Sequence, residues 1–484
     1  APKDVRGRRF QESPGSSSQG IEGGIWIFGD TGHAVPPVRF ADVIRNFAKI
    51  LRYIPGYKNI IFFSQGIPRP ALAKDMFLRQ DLEDMSRELA SSNAPVYAIN
   101  TETPNPFGPE GTIPTKGSMG EDSLKLIAER SGGKAYEAIG AASRYEKFFQ
   151  EVQDLTRNYY VLGYPVRETW DGKFHTIKVE LRQGNYRIQA QAGYFNPKLF
   201  SEYSDVEKEM HLLDLALAEK PLSQAPARFP MIALACSLDP KNDLCLAARI
   251  PAGTIGEIAG KKAEVFSLVF NARGETVSEQ RTEEDFSRLP REDLYFLAHA
   301  SAPPGVYRCR IIIRNQETGA AAVAGAEASA PPKMEKGILL FPPIILKPER
   351  GAFYLKGHWP KPAVGRARGT AFADLFLFDP AQYVPCMEKI FMRNTAAWAS
   401  IRCAFAGEPA PEMKISAFLY DKITGEEIPV SLTIIDKKEE SGMKTFFVSF
   451  HVPDVEPDEY TFCLVAGDPA SGETSMVACD FIIE

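Results

Sequence analysis

The side chains with catalytic potential are scattered along this sequence. Each histidine is isolated from the others, which is more typical of a structural or surface position than of catalysis; the six are His33, His175, His211, His299, His358 and His451. No Gly-x-Ser-x-Gly nucleophile motif and no Gly-rich phosphate loop occurs. Acidic clusters such as 283–285 fall in polar stretches typical of solvated surface. We therefore expect a protein that acts by binding and has no enzymatic activity.

Composition excludes two further classes. The formal net charge is -6, from 56 basic and 62 acidic residues, whereas a general nucleic-acid binder needs a positive excess to neutralise phosphates. The longest apolar runs, 59–63 and 337–341, are far shorter than the roughly 20 residues of a spanning helix. We expect no nucleic acid partner and no transmembrane span. The chain begins with Ala1, which is compatible with a processing site or with an artificial edge of the sequence, and a cleaved signal peptide fits the first of these. We expect an extracytoplasmic location.

The first part of the chain alternates between helical and strand-like patterns. Residues 1–24 are polar and Gly/Ser-rich and predict a flexible arm. Within 25–200, apolar residues at intervals of three and four predict helices, and short continuous apolar runs such as 59–64 and 95–99 predict buried parallel strands. Over 158–198 the period changes to two, which predicts a β-hairpin extension. This order is typical of βαβ units and a mainly parallel sheet.

The second part of the chain predicts two β-sandwiches. After one helix at 205–219, short strand-like stretches recur to the C-terminus with Pro, Gly, Asn and Asp turns between them. We expect a β-sandwich over 205–346, a linker over 347–372 and an immunoglobulin-like β-sandwich over 373–484.

Several segments within 24–198, taken together, resemble the VWFA-related proteins common in Acidobacteria, a divergent branch of the von Willebrand factor A family. The most distinctive is 159–164 (Tyr-Tyr-Val-Leu-Gly-Tyr), followed by 171–175 and 193–195; the others are 54–66, 94–100 and 126–133. The resemblance implies an α/β von Willebrand A-like fold, which is Rossmann-like with a mainly parallel sheet. In this interpretation the sheet lacks its first strand, and three alternatives stay open: the strand lies upstream of Ala1, belongs to another chain, or was never present.

Complete members of that family hold Mg²⁺ or Ca²⁺ through an Asp-x-Ser-x-Ser loop, a Thr and an Asp. No Asp-x-Ser-x-Ser occurs here, and the usual Ser-Asp-Gly after the central strand reads Ser64-Gln65-Gly66. Asp30 and Thr31 are the nearest remaining ligands, with Ser64 as a third weak candidate. Because the carboxylates that would attract a doubly charged ion are missing, we expect a degenerate site with no cofactor, in which Ser64 bonds to local backbone.

The resemblance places a partner-binding face at the carboxyl end of the sheet, at Ser64, Gln65 and Gly66. Tyr159 and Tyr160 are further candidates for partner binding, because aromatic side chains concentrate at interfaces. Packing of the extension against the α/β domain would also account for aromatic residues at these positions. We expect a protein partner, such as an N-terminal fragment or another subunit. The alternative function is a structural subunit of an envelope or surface assembly, and a hydrolase is the remote alternative.

All seven cysteines lie from residue 236 onward, and their spacing matches no zinc pattern. Structural disulfides and buried free thiols are equally compatible with this distribution. Cys236 and Cys245 flank a turn at 239–243, so a bridge across a hairpin is one candidate. Cys403 and Cys463 lie on two predicted strands in a spacing similar to the inter-sheet bridge of immunoglobulin-like sandwiches, with Cys479 as a competing partner.

Overall fold

The computed structural model describes residues 37–54, 56–67, 76–101, 120–136, 142–157, 160, 162–165, 169–184, 188–218, 221, 226–237, 242–260, 262–355, 357, 370–406, 411–440 and 442–484. In the part of the chain so described, no helix is long and apolar enough to cross a membrane.

The first part of the chain forms one small parallel sheet with helices around it. The strands are β1 (Ile60–Ser64), β2 (Val96–Asn100) and β3 (Lys134–Tyr136), hydrogen-bonded in that order. The helices are α1 (Pro37–Arg52), α2 (Met76–Ser91), α3 (Glu121–Ser131) and α4 (Ala142–Arg157). Strand β2 is buried along its whole length, which explains its continuous apolar sequence.

Two short strands, β4 (Phe174–Thr176) and β5 (Gly193–Phe195), pair in antiparallel fashion. They connect this region to helix α5 (Asp205–Leu217). Helix α5 begins at Ser204, whose backbone N–H donates to Glu207 Oε2 at 2.9 Å. This contact supplies a partner that the first turn of a helix otherwise lacks.

The remainder of the chain builds four sheets, numbered here I to IV. Sheet I has the order β10-β9-β12-β13-β6 and sheet II the order β16-β11-β8-β7. Their strands are β6 (Ala227–Arg228), β7 (Met231–Ala235), β8 (Asn242–Ile250), β9 (Lys262–Asn271), β10 (Thr276–Asp285), β11 (Leu294–Ala302), β12 (Gly305–Asn315), β13 (Ala321–Ala330) and β16 (Phe353–Leu355).

Sheet III has the order β17-β15-β19-β23-β22, with β14 also paired to β19, and sheet IV the order β18-β25-β24-β20-β21. Their strands are β14 (Ile338–Leu340), β15 (Ile344–Pro348), β17 (Tyr383–Pro385), β18 (Ile390–Phe391), β19 (Ala396–Phe405), β20 (Lys414–Asp421), β21 (Glu427–Val430), β22 (Leu432–Glu440), β23 (Met443–His451), β24 (Asp458–Gly467) and β25 (Thr474–Ile483). Helix α6 (Thr370–Leu375) begins near the end of the predicted linker over 347–372 and extends three residues beyond it.

The four sheets are stacked, and alternate side chains of each strand enter different cores. In β8, Leu244 and Leu246 pack between sheets I and II, whereas Cys245 packs toward sheet III. Likewise Ile401 of β19 packs between sheets III and IV, and Trp398 packs toward sheet II. The central strands β8 and β19 of sheets II and III are therefore buried on both faces, which accounts for their long apolar runs.

The predicted fold class is wrong. The chain is mostly β-strand, at 44%, with 21% helix and mixed or antiparallel sheets, and this is unlike a helix-rich, mainly parallel von Willebrand A-like fold. The prediction gave too much weight to the two buried runs at 59–64 and 95–99, which form part of a sheet of only three short strands. Among the described residues of 158–198, the strands β4 and β5 have three residues each.

Candidate functional site

The loop after β1 is held by hydrogen bonds from its backbone N–H groups to serine hydroxyls. Ser64 Oγ accepts a hydrogen bond from the backbone N–H of Gly66 at 3.0 Å, and the N–H of Ile67 donates to Ser123 Oγ at 2.8 Å. Gly66 has φ 74°, and a Cβ at this position would overlap the carbonyl oxygen of Gly120. Gln65 is exposed. The Ser64 hydroxyl is therefore engaged locally, as an ordinary loop serine would be.

Two weak ligand candidates, Asp30 and Thr31, lie outside the described residues. Among the residues that are described, no group of three or more His, Cys, Asp or Glu side chains is arranged to hold a metal ion.

Large apolar side chains lie exposed in the segment between α4 and β5. Tyr160 is 96% exposed and Leu162 is 70% exposed, whereas Tyr159 lies outside the described residues. Four more such side chains follow in the same segment: Tyr164, Trp170, Leu181 and Ile188. We call these six residues the exposed apolar segment. Within it, the Tyr164 ring lies 6.3 Å from the ring of Tyr194 on β5.

The structure joins Cys236 and Cys245 in a disulfide across the β7–β8 hairpin, with Cα atoms 6.5 Å apart. It does not join Cys403 to Cys463, and both are free thiols. The candidate bridge between these two is wrong, because the side chains of Cys403 and Cys463 point to different faces of their sheets. Cys403 faces the core between sheets III and IV, but in β24 that core takes Phe462 and Leu464, so Cys463 points to the opposite face.

Next to the disulfide lies a network centred on Asp243. Its carboxylate accepts hydrogen bonds from Ser237 at 3.0 Å and Ser301 at 3.1 Å, and its Oδ1 lies 2.8 Å from His299 Nε2. Burial opposes the charged carboxylate, but these hydrogen bonds outweigh burial and hold the pKa of Asp243 below its ordinary value. His299 contacts Asp243, as the histidine and aspartate of a catalytic triad do. Both serines, however, donate to the carboxylate and not to His299, so the arrangement does not activate a nucleophile. The network instead links β8 to β11.

A cleft of about 430 Å³ opens at the junction of the two sandwiches. Arg402 of β19 lines it and is only 7% exposed. Arg402 was not singled out on sequence grounds. The signal that could have identified it is a single arginine that interrupts the apolar run of a predicted strand. An arginine in such a place needs compensation from its surroundings.

Comparison with known proteins assigns no family. No family model matches the chain, and no curated protein matches it. Among solved structures, a family 123 glycoside hydrolase from Clostridium perfringens, described in connection with glycolipid glycan hydrolysis, is similar over 20% of this chain and 22% of that chain, at 8% identity and a TM-score of 0.17. A similarity of this size carries no argument about fold or activity.

Proposed function

We propose that this chain is a non-enzymatic interaction protein that binds a protein partner through its exposed apolar segment, outside the cytoplasm. The observation that supports this is the exposure of Tyr160, Leu162 and Trp170, at 96%, 70% and 55%. Soluble proteins seldom expose several large apolar side chains close together in one segment unless they mark a contact surface. Tyrosine and tryptophan are also enriched among the residues that dominate binding energy.

The chemistry of the segment indicates what kind of surface it fits. Between β4 and β5, Ile177 and Val179 are half-buried, whereas Lys178 and Glu180 are exposed and form an ion pair with each other. An apolar centre beside charged groups is the usual arrangement of an interface with a polar rim. The partner is therefore a folded protein that offers an apolar patch. Burial of each large side chain would contribute about 1.5–3 kcal/mol.

The test is the double substitution Tyr160→Ser and Leu162→Ser, both at exposed positions. Its matched control is Ile423→Ser, because Ile423 is 78% exposed on the distant β20–β21 turn. Each variant is used as bait in the native source, and co-purifying proteins are cross-linked and identified by mass spectrometry. We expect a partner captured by the parent chain and by the Ile423→Ser variant to be lost from the double variant. Equal capture by all three would contradict the proposal.

The extracytoplasmic location is supported by the Cys236–Cys245 disulfide. Disulfides persist in oxidising compartments and are rare in the cytosol. Recovery of this bridge in protein from the native source, alkylated during lysis, is the expected result. Fully reduced cysteines in that material would count against this location.

A second function, a structural subunit of a larger assembly, is favoured by the outer edge of β1. In the described part of the chain this edge has no strand beside it, and Ile61 and Phe63 are 39% and 45% exposed. By contrast, the edge strands β10 and β22 are rich in charged residues and each contains a register shift, which are devices that protect sheet edges. Light scattering would distinguish the two functions, since a subunit would form oligomers that Phe63→Lys disperses.

A further inference from the structure

The cleft at the junction of the two sandwiches has walls from three parts of the chain. Ser237, after β7, and Lys333 and Met334, before β14, contribute one side. Strands β19, β22 and β23 contribute the other side, and pockets of this kind are common where two units of a protein meet. Its volume of about 430 Å³ is within the range of small-molecule sites.

Arg402 brings a buried positive charge to this cleft. Its Nη1 donates to the backbone carbonyl of Leu375, and its guanidinium lies 5.6 Å from the centre of the Phe376 ring. Its Nε is buried and has no hydrogen-bond partner among the described residues. Ser400, two positions earlier on the same face of β19, also has a buried hydroxyl without a hydrogen bond in that part of the chain. Ser400 does not line the cleft, whereas Arg402 does. Leaving a buried guanidinium donor unpaired is costly, so a ligand that pairs with Arg402 would bind favourably.

The charges around Arg402 leave the cleft positive. Lys333 and Lys438 line it, against the single carboxylate of Glu440. That carboxylate already pairs with Lys438 Nζ at 2.6 Å, and Asp243, the other acid that Arg402 senses, is engaged by His299. Burial lowers the pKa of Arg402 to about 10, so the guanidinium is still charged at pH 7 but is poorly compensated.

Apolar side chains make up much of the remaining lining, namely Met334, Ala404, Phe405 and Met443. Its other polar side chains are Ser237 and Thr445, and the Ser237 hydroxyl already donates to Asp243 Oδ2 at 3.0 Å. A phosphate dianion requires several donors arranged around it, whereas a carboxylate is satisfied by one guanidinium.

We propose that this cleft binds a small organic acid with one carboxylate and an apolar body. The carboxylate pairs with Arg402 and receives long-range support from Lys333. The apolar body lies against Met334, Phe405 and Met443. This site is separate from the exposed apolar segment and goes beyond the function proposed above.

The test uses sodium octanoate as the probe, titrated calorimetrically into the whole chain. Octan-1-ol and octylamine serve as ligands of the same length without the negative charge. We expect octanoate to bind about tenfold or more tightly than either, and Arg402→Met to weaken octanoate binding by about tenfold or more. Lys437→Met is the matched control, since Lys437 neighbours Lys438 on β22 but does not line the cleft, and it should bind octanoate as the parent does.

A second measurement does not depend on the folding of any variant. An octanoate carrying a diazirine is photo-cross-linked to the parent chain, and we expect labelled peptides that contain Met334, Phe405 or Met443. Octanoate that binds no more tightly than octan-1-ol, or labelling confined to other peptides, would overturn the proposal. The Tyr160→Ser, Leu162→Ser variant should bind octanoate normally, so a failed partner capture and a failed cleft are separable results.

Discussion

The guanidinium of Arg314 donates two hydrogen bonds to one carboxylate oxygen of Glu264, from Nε at 2.9 Å and from Nη2 at 2.7 Å. The two residues are opposite each other on β12 and β9, and they are 1% and 5% exposed. The remaining Nη1 donates to the carbonyl of Lys208 at 2.6 Å. This ion pair therefore fixes helix α5 on the outer face of sheet I, next to the apolar contacts between Leu212 and that sheet.

Glu264→Gln should destabilise this region strongly. The substitution leaves Arg314 buried without its counter-ion, and breaking a buried pair in this way costs about 3–5 kcal/mol. Hydrogen exchange measured by mass spectrometry on β9 and β12 peptides would report the loss locally, without assuming that the whole chain unfolds in one step. Glu279→Gln, at an exposed position of β10, is the control and should change exchange little. Unchanged protection in Glu264→Gln would show that the pair is dispensable.

The strands of sheets I to IV could be predicted because each has its own local pattern. Strand-like stretches of the sequence such as 264–270, 305–313 and 400–405 lie within β9, β12 and β19. The Arg314–Glu264 pair could not be predicted, since the partners are 50 positions apart and their meeting depends on strand order. The spacing of Cys403 and Cys463 in the sequence suggests a bridge. Which face of its strand each cysteine occupies decides against it, because Phe462 and Leu464, and not Cys463, face the core that contains Cys403.

The cleft was unpredictable for a related reason. Arg402 stands out in the sequence as a charge in an apolar run, but Lys438 comes to the same cleft through the strand order of sheet III, and Lys333 comes to it from the segment before β14. The contact between Ser64 and Gly66, by comparison, joins two residues within one turn and depends on local sequence alone. Sequence patterns thus predict contacts within a turn or a strand better than contacts between sheets.

His211 should make stability depend on pH in the acidic range. Burial, and then the positive charge of Arg314, lower the pKa of His211 to about 4, so the folded chain keeps the imidazole neutral. The unfolded chain takes up a proton near pH 6.5. The free energy of unfolding should therefore be unaffected above about pH 6.5 and should fall as the pH drops from there toward 4, by about 3 kcal/mol in total.

The measurement is urea unfolding between pH 4 and pH 8, followed by hydrogen exchange in α5. His211→Gln should remove most of the decrease on acidification, because glutamine does not titrate. His451→Gln, at an exposed position of β23, should leave the decrease intact. If the His211→Gln profile matched that of the parent, the neutral buried imidazole would not be its cause.

The number of alkylatable thiols distinguishes the observed bridge from the one expected on sequence grounds. With Cys236–Cys245 as the bridge, the unfolded, unreduced chain should take up five alkyl groups, at Cys309, Cys386, Cys403, Cys463 and Cys479. After reduction all seven cysteines should react. Peptide mapping gives the positions directly. Protection of Cys403 and Cys463 before reduction would restore the inter-sheet bridge.

Gly66 and Gly56 allow the cost of close packing at the end of β1 to be separated from the cost of backbone conformation. Both have positive φ, 74° and 90°, so alanine at either position carries a penalty of about 1–2 kcal/mol for the left-handed conformation. Of the two positions, only Gly66 would bring the new Cβ into overlap, with the Gly120 carbonyl and the Ser123 hydroxyl, whereas at Gly56 no described atom lies within 4 Å. Gly66→Ala should therefore lose an additional ~1–3 kcal/mol, the usual cost of overpacking. Hydrogen exchange in β1 and α3 peptides measures the difference, and equal losses in the two variants would mean that the Gly66–Gly120 approach relaxes without cost.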